Sequence, residues 1–154
     1  FGAVDRDPRM RIITVAYFAL LPLTQFEQTL SAHPELTLGQ IVQAEGAALR
    51  VRVAGRSITL AFDHLDIVRV AAERLRAKLD WSDVAYALLP SEFTLRELQE
   101  VHETILGRSV NKPAFRKRML DKGHLKATGR REAAGAFRPA ELYRYIGTSS
   151  GNGA

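Results

Sequence analysis

The stretch Asn111-Lys-Pro-Ala-Phe-Arg-Lys-Arg-Met-Leu-Asp-Lys-Gly123 decides how the chain is read. Asn111 suits the N-cap of a helix, where its side-chain oxygen can accept an otherwise orphaned amide. Pro113 is tolerated in the first turn, and Gly123 suits the stop. Phe115 and Met119 lie one turn apart with Leu120 beside them, and all three are expected to face a core. That register sends Ala114, Lys117, Arg118 and Asp121 outward. The product is a short helix with few apolar anchors and a strongly basic surface.

The residues just upstream give the clearest local signal in the chain. Thr94-Leu-Arg-Glu97 has the spacing of a capping box, with Phe93 and Leu98 at the two staple positions. Leu95, Leu98, Val101 and Ile105 supply a buried stripe, and Gly107 suits a left-handed C-terminal cap. Downstream, residues 125–131 and 140–146 read as two strands around an irregular loop containing Gly135, Arg138 and Pro139.

Further back, Asp63 can cap a helix whose apolar stripe runs Leu65, Val68, Ala72, Leu75, Leu79. Residues 84–89 read as a short strand ended by Pro90. The order helix, strand, helix, helix, strand, strand over 63–146 is that of a winged helix-turn-helix. Residues 147–154, rich in Gly and Ser, read as a disordered tail.

The N-terminal part is organised differently. The run 11–21 is nearly continuously apolar and is expected to be a strand buried on both faces. It is too short to span a bilayer, so no membrane partner is expected. Residues 37–44 fit either a helical turn or an edge segment. Residues 48–53 and 57–62 flank Ala54-Gly55-Arg56 as a hairpin, with Leu49, Val51 and Val53 on one face and Arg50 and Arg52 on the other.

Composition narrows the function classes. The chain has 154 residues, 46% hydrophobic and 25% charged, so a core is possible and global disorder is not expected. There is no cysteine, which excludes disulfides, thiolate zinc sites and cysteine nucleophiles and fits a cytoplasmic location. The net charge is +5 and unevenly placed. Residues 108–144 hold 11 Lys/Arg against 3 Asp/Glu, a net of +8, leaving 11 against 14, a net of −3, elsewhere. A basic segment joined to a mildly acidic one points to a polyanion partner for the C-terminal part alone. Charge asymmetry by itself also fits a solvated basic face.

Double-stranded DNA is the partner this pattern indicates, with helix 111–122 in the major groove and the loop near 130–138 as the wing. Asn111, Lys112, Lys117 and Arg118 are the candidates on the helix. Arg130, Arg131 and Arg138 are expected on backbone phosphates. The alternative use of the same fold is protein interaction.

Catalytic signals are thin. His33, His64, His102 and His124 lack metal-ligand spacing, and His102, beside its helix's apolar stripe, reads as structural. Asp63 and His64 are adjacent, but capping explains Asp63. Glu97, Glu100 and Glu103 line one helix at threes, where capping and a solvated face compete with a metal site. No phosphate-cradling Gly-rich loop occurs.

Several stretches carry a resemblance to a known family. Phe1-Gly, Arg6-Asp-Pro-Arg and Val15-Ala-Tyr-Phe-Ala-Leu resemble the segment after the catalytic helix of ADP-ribose-type Nudix hydrolases. Leu60-Ala-Phe-Asp-His, Leu75-Arg-Ala-Lys-Leu, Ala87-Leu-Leu-Pro-Ser-Glu-Phe-Thr-Leu-Arg-Glu-Leu-Gln and Asn111-Lys-Pro-Ala-Phe-Arg-Lys-Arg-Met resemble the C-terminal winged helix of Nudix-related, NrtR-type transcriptional regulators. Leu142-Tyr-Arg-Tyr resembles the closing wing strand. The resemblance covers about residues 1–146.

It implies an α+β protein: a partial Nudix-type mixed sheet over 1–62, then a winged helix over 63–146. It also implies a homodimeric DNA-binding repressor of NAD or sugar/nucleotide metabolism genes, with an ADP-ribose-like effector. The Nudix signature of Arg-Glu and Glu-Glu pairs that binds Mg²⁺ is not in this sequence. The chain is therefore expected to begin partway through that domain, N-terminally truncated. It is expected to need no cofactor of its own and not to be catalytic as given, Mg²⁺ being a matter for the parent Nudix domain. The second function class is an ADP-ribose-type pyrophosphatase whose C-terminal domain serves dimerisation or substrate capping. If half a sheet is missing, the run 12–21 needs cover, by self-association or strand exchange.

Overall fold

The computed structural model describes residues 13–43, 48–132 and 139–147. It divides between Lys78 and Leu79 into two compact units, Phe1–Lys78 and Leu79–Ala154.

In the first unit, helix α1 (Leu23–Ala32) precedes a three-stranded sheet of β1 (Gln40–Val42), β2 (Arg50–Val53) and β3 (Arg56–Ile58), in the order β1-β2-β3. Both pairings are antiparallel. Residues 37–44, ambiguous in sequence, contain β1. The hairpin is as expected: Leu49 and Val51 are buried, and Arg50 and Arg52 are exposed. Its two-residue turn places both Ala54 (φ 48°) and Gly55 (φ 78°) in the left-handed region. Paired positive φ values match the twist of the flanking strands. Helix α2 (His64–Lys78) starts directly after Asp63, whose carbonyl accepts from the amides of Asp66 and Ile67 at 3.0 and 3.1 Å. Val68, Ala72 and Leu75 are half-buried along its stripe, while Leu65 is exposed.

The apolar run corrects the sequence reading. No part of residues 13–22 is a strand, and Tyr17 is 93% exposed. A buried strand requires sheet neighbours, and among the described residues the three strands of this unit pair only with one another. The run leads instead into α1, a helix that its composition does not announce. Pro22 stands at the N-cap, and Phe26 and Leu30 are the half-buried positions of this helix.

In the second unit the elements are α3 (Val84–Ala87), β4 (Phe93–Thr94), α4 (Leu95–Leu106), α5 (Lys112–Asp121), β5 (Leu125–Arg131) and β6 (Glu141–Tyr145). The strand expected at 84–89 is instead the one-turn helix α3. Short apolar runs carry no period that separates helix from strand. Here the Asp83 carbonyl accepts from Tyr86 and Ala87 at 2.9 and 3.1 Å and closes the turn. The strand of this region is β4, two residues long, pairing Phe93 with Tyr143 and Thr94 with Leu142 in the antiparallel order β4-β6-β5. From α3 to β6 the order is helix, strand, helix, helix, strand, strand, with α3 and β4 in the places expected for a helix from Asp63 and a strand at 84–89.

The core of this unit is Leu79, Ala85, Phe93, Leu95, Leu98, Phe115, Met119 and Tyr143, all buried. Tyr86 of α3 stacks on Tyr145 of β6 with ring centroids 4.1 Å apart and points its hydroxyl at the Met119 sulfur, 4.0 Å away. The short helix is thereby tied to both the sheet and α5. Two polar side chains, Thr94 and His102, are buried with this core, and both are hydrogen-bonded.

Residues 133–138, with Gly135 and Arg138, and residues 148–154 of the expected tail lie outside the described residues.

Candidate nucleic-acid interface

The interface starts from the entry to α4. The Thr94 hydroxyl accepts from the Glu97 amide at 3.2 Å, and the Glu97 carboxylate accepts from the Thr94 amide at 2.7 Å and its hydroxyl at 3.0 Å. The capping box is therefore closed in both directions. Phe93 and Leu98, the staple pair, are among the most deeply buried side chains. At the other end Gly107 adopts φ 71° and its amide reaches the Glu103 carbonyl at 2.8 Å.

The turn from α4 to α5 is held by one carboxylate. Glu103 Oε1 accepts from the Val110 amide at 2.8 Å and from Gln99 Nε2 at 3.0 Å. These bonds, the Val110 amide first, hold the Glu103 carboxyl below its ordinary range. Of the three glutamates spaced at threes, Glu97 thus caps, Glu103 clamps the turn, and Glu100 lies 3.9 Å from Arg96. Among the described residues no group of three or more His, Asp or Glu side chains is placed to hold a metal ion.

His102 secures the crossing of α4 and α5 from inside. Its Nδ1 lies 2.8 Å from the Leu98 carbonyl and its ring meets Phe115 edge-on at 5.0 Å. Burial pushes its pKa down, with the Arg118 and Lys122 charges adding to that; the Leu98 carbonyl and Asp80 oppose it. His102 is a neutral core residue, as its position in the sequence suggested.

Helix α5 begins where expected. Asn111 Oδ1 accepts from the Ala114 amide at 3.0 Å, and Asn111 is exposed. Phe115 and Met119 are buried, whereas Leu120, expected in the core, is 44% exposed. The inward arc of a short helix centred on Phe115 and Met119 does not extend a further 100° to Leu120. Lys112, Ala114, Arg116, Lys117, Arg118 and Asp121 are exposed.

Several of the basic candidates already have acidic partners. Lys117 Nζ is 2.6 Å from Asp121, one turn on. Arg118 lies 3.3 Å from Asp80 and places its guanidinium 5.8 Å from the Phe115 ring centre. Lys122 Nζ donates to the Asp80 carbonyl at 2.6 Å. These pairs are exposed, and water screens them strongly.

Strands β5 and β6 form a two-stranded ribbon with a register shift between Ala127 and Arg131. Gly129 (φ 74°) sits in the irregularity, and Thr128 Oγ1 donates to the Leu142 carbonyl at 3.0 Å while accepting from the Arg130 amide at 3.1 Å. Such bulges re-aim the side chains beside them. Arg130 here turns to Glu92, at 3.1 Å, a carboxylate that Arg144 also approaches at 3.0 Å. Arg131 reaches the Pro139 carbonyl at 3.4 Å, and Arg96 pairs with Glu132 at 3.1 Å. The structure thus brings Asn111, Lys112, Lys117 and Arg118 onto one helix and Arg130 and Arg131 onto the ribbon. Arg138 lies outside the described residues.

The sequence reading missed Glu92 and Asp80, the carboxylates that hold these cations, because both contacts are long-range. It also passed over Arg116. That residue was available from the helical wheel, since one position past Phe115 is a flank of the helix.

A capped helix-turn-helix followed by a twisted ribbon defines a winged helix domain, and this is the class to which the C-terminal unit belongs. Comparison with known proteins makes the class more specific: residues 85–145 match the NrtR DNA-binding winged helix domain family. The chain is 38% identical over 147 residues to the ADPR responsive transcriptional repressor NtrR of Acinetobacter baylyi, covering 94% of this chain and 53% of that protein. It spans about half the length of that curated relative. Among solved structures it resembles Shewanella oneidensis NrtR complexed with a 27mer DNA, at TM-score 0.67 and 31% identity, over 94% of this chain and 61% of that one. A MutT/nudix family protein from Enterococcus faecalis matches at TM-score 0.50 and 21% identity, over 94% and 59%, a likeness of fold alone. No helix among the described residues is long and apolar enough to cross a membrane.

Proposed function

We propose that this chain is the DNA-binding part of a transcriptional repressor whose grip on its operator responds to ADP-ribose or a related metabolite. The observation that carries the reading is α5 itself. It is a capped helix, fixed to α4 by Phe115, Met119 and the Glu103 clamp, with basic side chains on its exposed surface and a basic ribbon beside it. In a helix-turn-helix the second helix enters the major groove and its neighbours meet the backbone. Asn111, Lys112, Lys117 and Arg118 are assigned to the groove and its flanking phosphates, and Arg130, Arg131 and Arg138 to backbone phosphates. The DNA complex of the Shewanella relative and the ADPR-responsive character of the Acinetobacter one support this assignment.

Two copies acting together on a two-fold-related site belong to the same reading, as does a cytoplasmic location. The test is a gel-shift titration on duplexes that the protein itself selects from a random pool. Lys117→Ala with Arg118→Ala weakens binding on this reading; unchanged affinity removes this face of α5 from the contact. Adding ADP-ribose to the complex shifts the titration; a curve that ignores it limits the reading to DNA binding alone.

A further inference from the structure

Sorting the cations of α5 by what they touch separates its two flanks. On one, Arg118 and Lys122 are engaged with Asp80, and Arg118 also lies against the Phe115 ring. At the crest, Lys117 is engaged with Asp121. On the other flank Lys112 and Arg116 stand one helical turn apart, and Leu120 continues the row one turn further. Lys112 and Arg116 are exposed and form no ion pair or hydrogen bond with any described residue.

We propose that Arg116 is the base-reading side chain of α5, its planar fork donating to the O6 and N7 acceptors of a guanine in the major groove. The proposal rests on the DNA-binding reading above and adds the residue that supplies sequence information. Arginine to guanine is the commonest specific contact in the major groove, and lysine, a point charge, cannot reproduce its fork. Among the described residues Arg116 has no acidic partner to give up before reaching a base. Arg118 would first have to leave Asp80 and the Phe115 ring. Position also favours Arg116, because recognition helices address base edges from their N-terminal half, and Arg116 is the fifth residue of the ten in α5. Lys112, one turn earlier, then meets the adjoining phosphate. Leu120, 44% exposed, shields the contact from water on its far side.

The experiment uses the full chain and a duplex selected by the wild-type protein from a random-sequence pool. Affinities of wild type, Arg116→Ala and Arg116→Lys are compared on that duplex and on a scrambled duplex of equal composition. The selected duplex is also prepared with 7-deazaguanine, which lacks the N7 acceptor, at each guanine in turn. Both variants are expected to lower the ratio of selected to scrambled affinity about 10- to 100-fold. Arg116→Lys should leave scrambled binding nearly intact, because the charge that meets phosphates is kept. One 7-deazaguanine position should weaken the wild type and leave Arg116→Ala indifferent. A ratio retained by either variant, or no guanine sensitive to the deaza substitution, overturns the assignment. Selection of no duplex by the wild type overturns the DNA-binding reading itself, a distinguishable failure.

Discussion

At the scale of single residues, Thr94 shows how much of the winged helix hangs on one hydroxyl. It is fully buried, caps α4, and sits in the two-residue strand that pairs with Leu142. Thr94→Ala removes the acceptor for the Glu97 amide and one of the donors to its carboxylate, so the expected loss is about 1–2 kcal/mol. Urea unfolding of the variant against wild type measures it. His102 gives a pH dependence with a defined sign. Its pKa is lowered in the folded state by burial, so the unfolded chain binds the proton first as pH falls. Its contribution to stability is complete above the unfolded pKa of about 6.5 and declines below it, toward the lowered pKa of the fold. Urea midpoints followed from pH 8 to pH 5 should fall over that range in the wild type. They should fall less in His102→Gln, which has a lower plateau but no imidazole to titrate.

At the scale of elements, the ribbon depends on the bulge. Gly129 holds φ 74° with nothing within 4 Å of where a Cβ would stand, so a side chain there meets a conformational penalty and no clash. Gly129→Val is expected to cost about 1–2 kcal/mol in thermal or urea unfolding, and a neutral result would show that the bulge relaxes freely. The elements also show what the sequence made legible. The starts of helices α4 and α5 and the end of α4 were legible because Thr94, Glu97, Gly107 and Asn111 carry these boundaries chemically, through side-chain caps and a left-handed stop. The hairpin at β2 and β3 was legible because alternation and a turn with Gly55 agree. Residues 84–89 were misread because four to six apolar residues have no diagnostic period, and β4 was missed because two residues have none at all. The run 13–22 failed for another reason: its composition is that of a strand, but strand formation is decided by neighbours, and none pairs with it among the described residues. In the candidate interface the basic residues were visible, but which of them are held by Glu92 and Asp80 depends on contacts 38 to 52 positions apart in the chain.

At the scale of the whole molecule, the governing fact is where the charge lies. The net +8 of residues 108–144 coincides with α5, β5 and the start of β6, so the cations gather on the helix and ribbon that a winged helix offers to a duplex. Each cation that meets a phosphate releases condensed counterions, and affinity must then fall as salt rises. On the proposed reading the exposed pairs at Asp80 and Asp121 are exchanged for phosphates in that step, because exposed pairs are weakly held. Neutralising Asp121 with Asp121→Asn should therefore raise affinity for any duplex, selected or scrambled, by a small common factor; a change confined to the selected duplex would contradict a purely electrostatic role. The most direct measurement is the dissociation constant on the selected duplex across a series of salt concentrations. About five or six phosphate contacts predict a log–log slope of about −4.5 to −5.5. A slope near zero, or no duplex binding at low salt, would contradict the assignment of α5 and the wing to DNA.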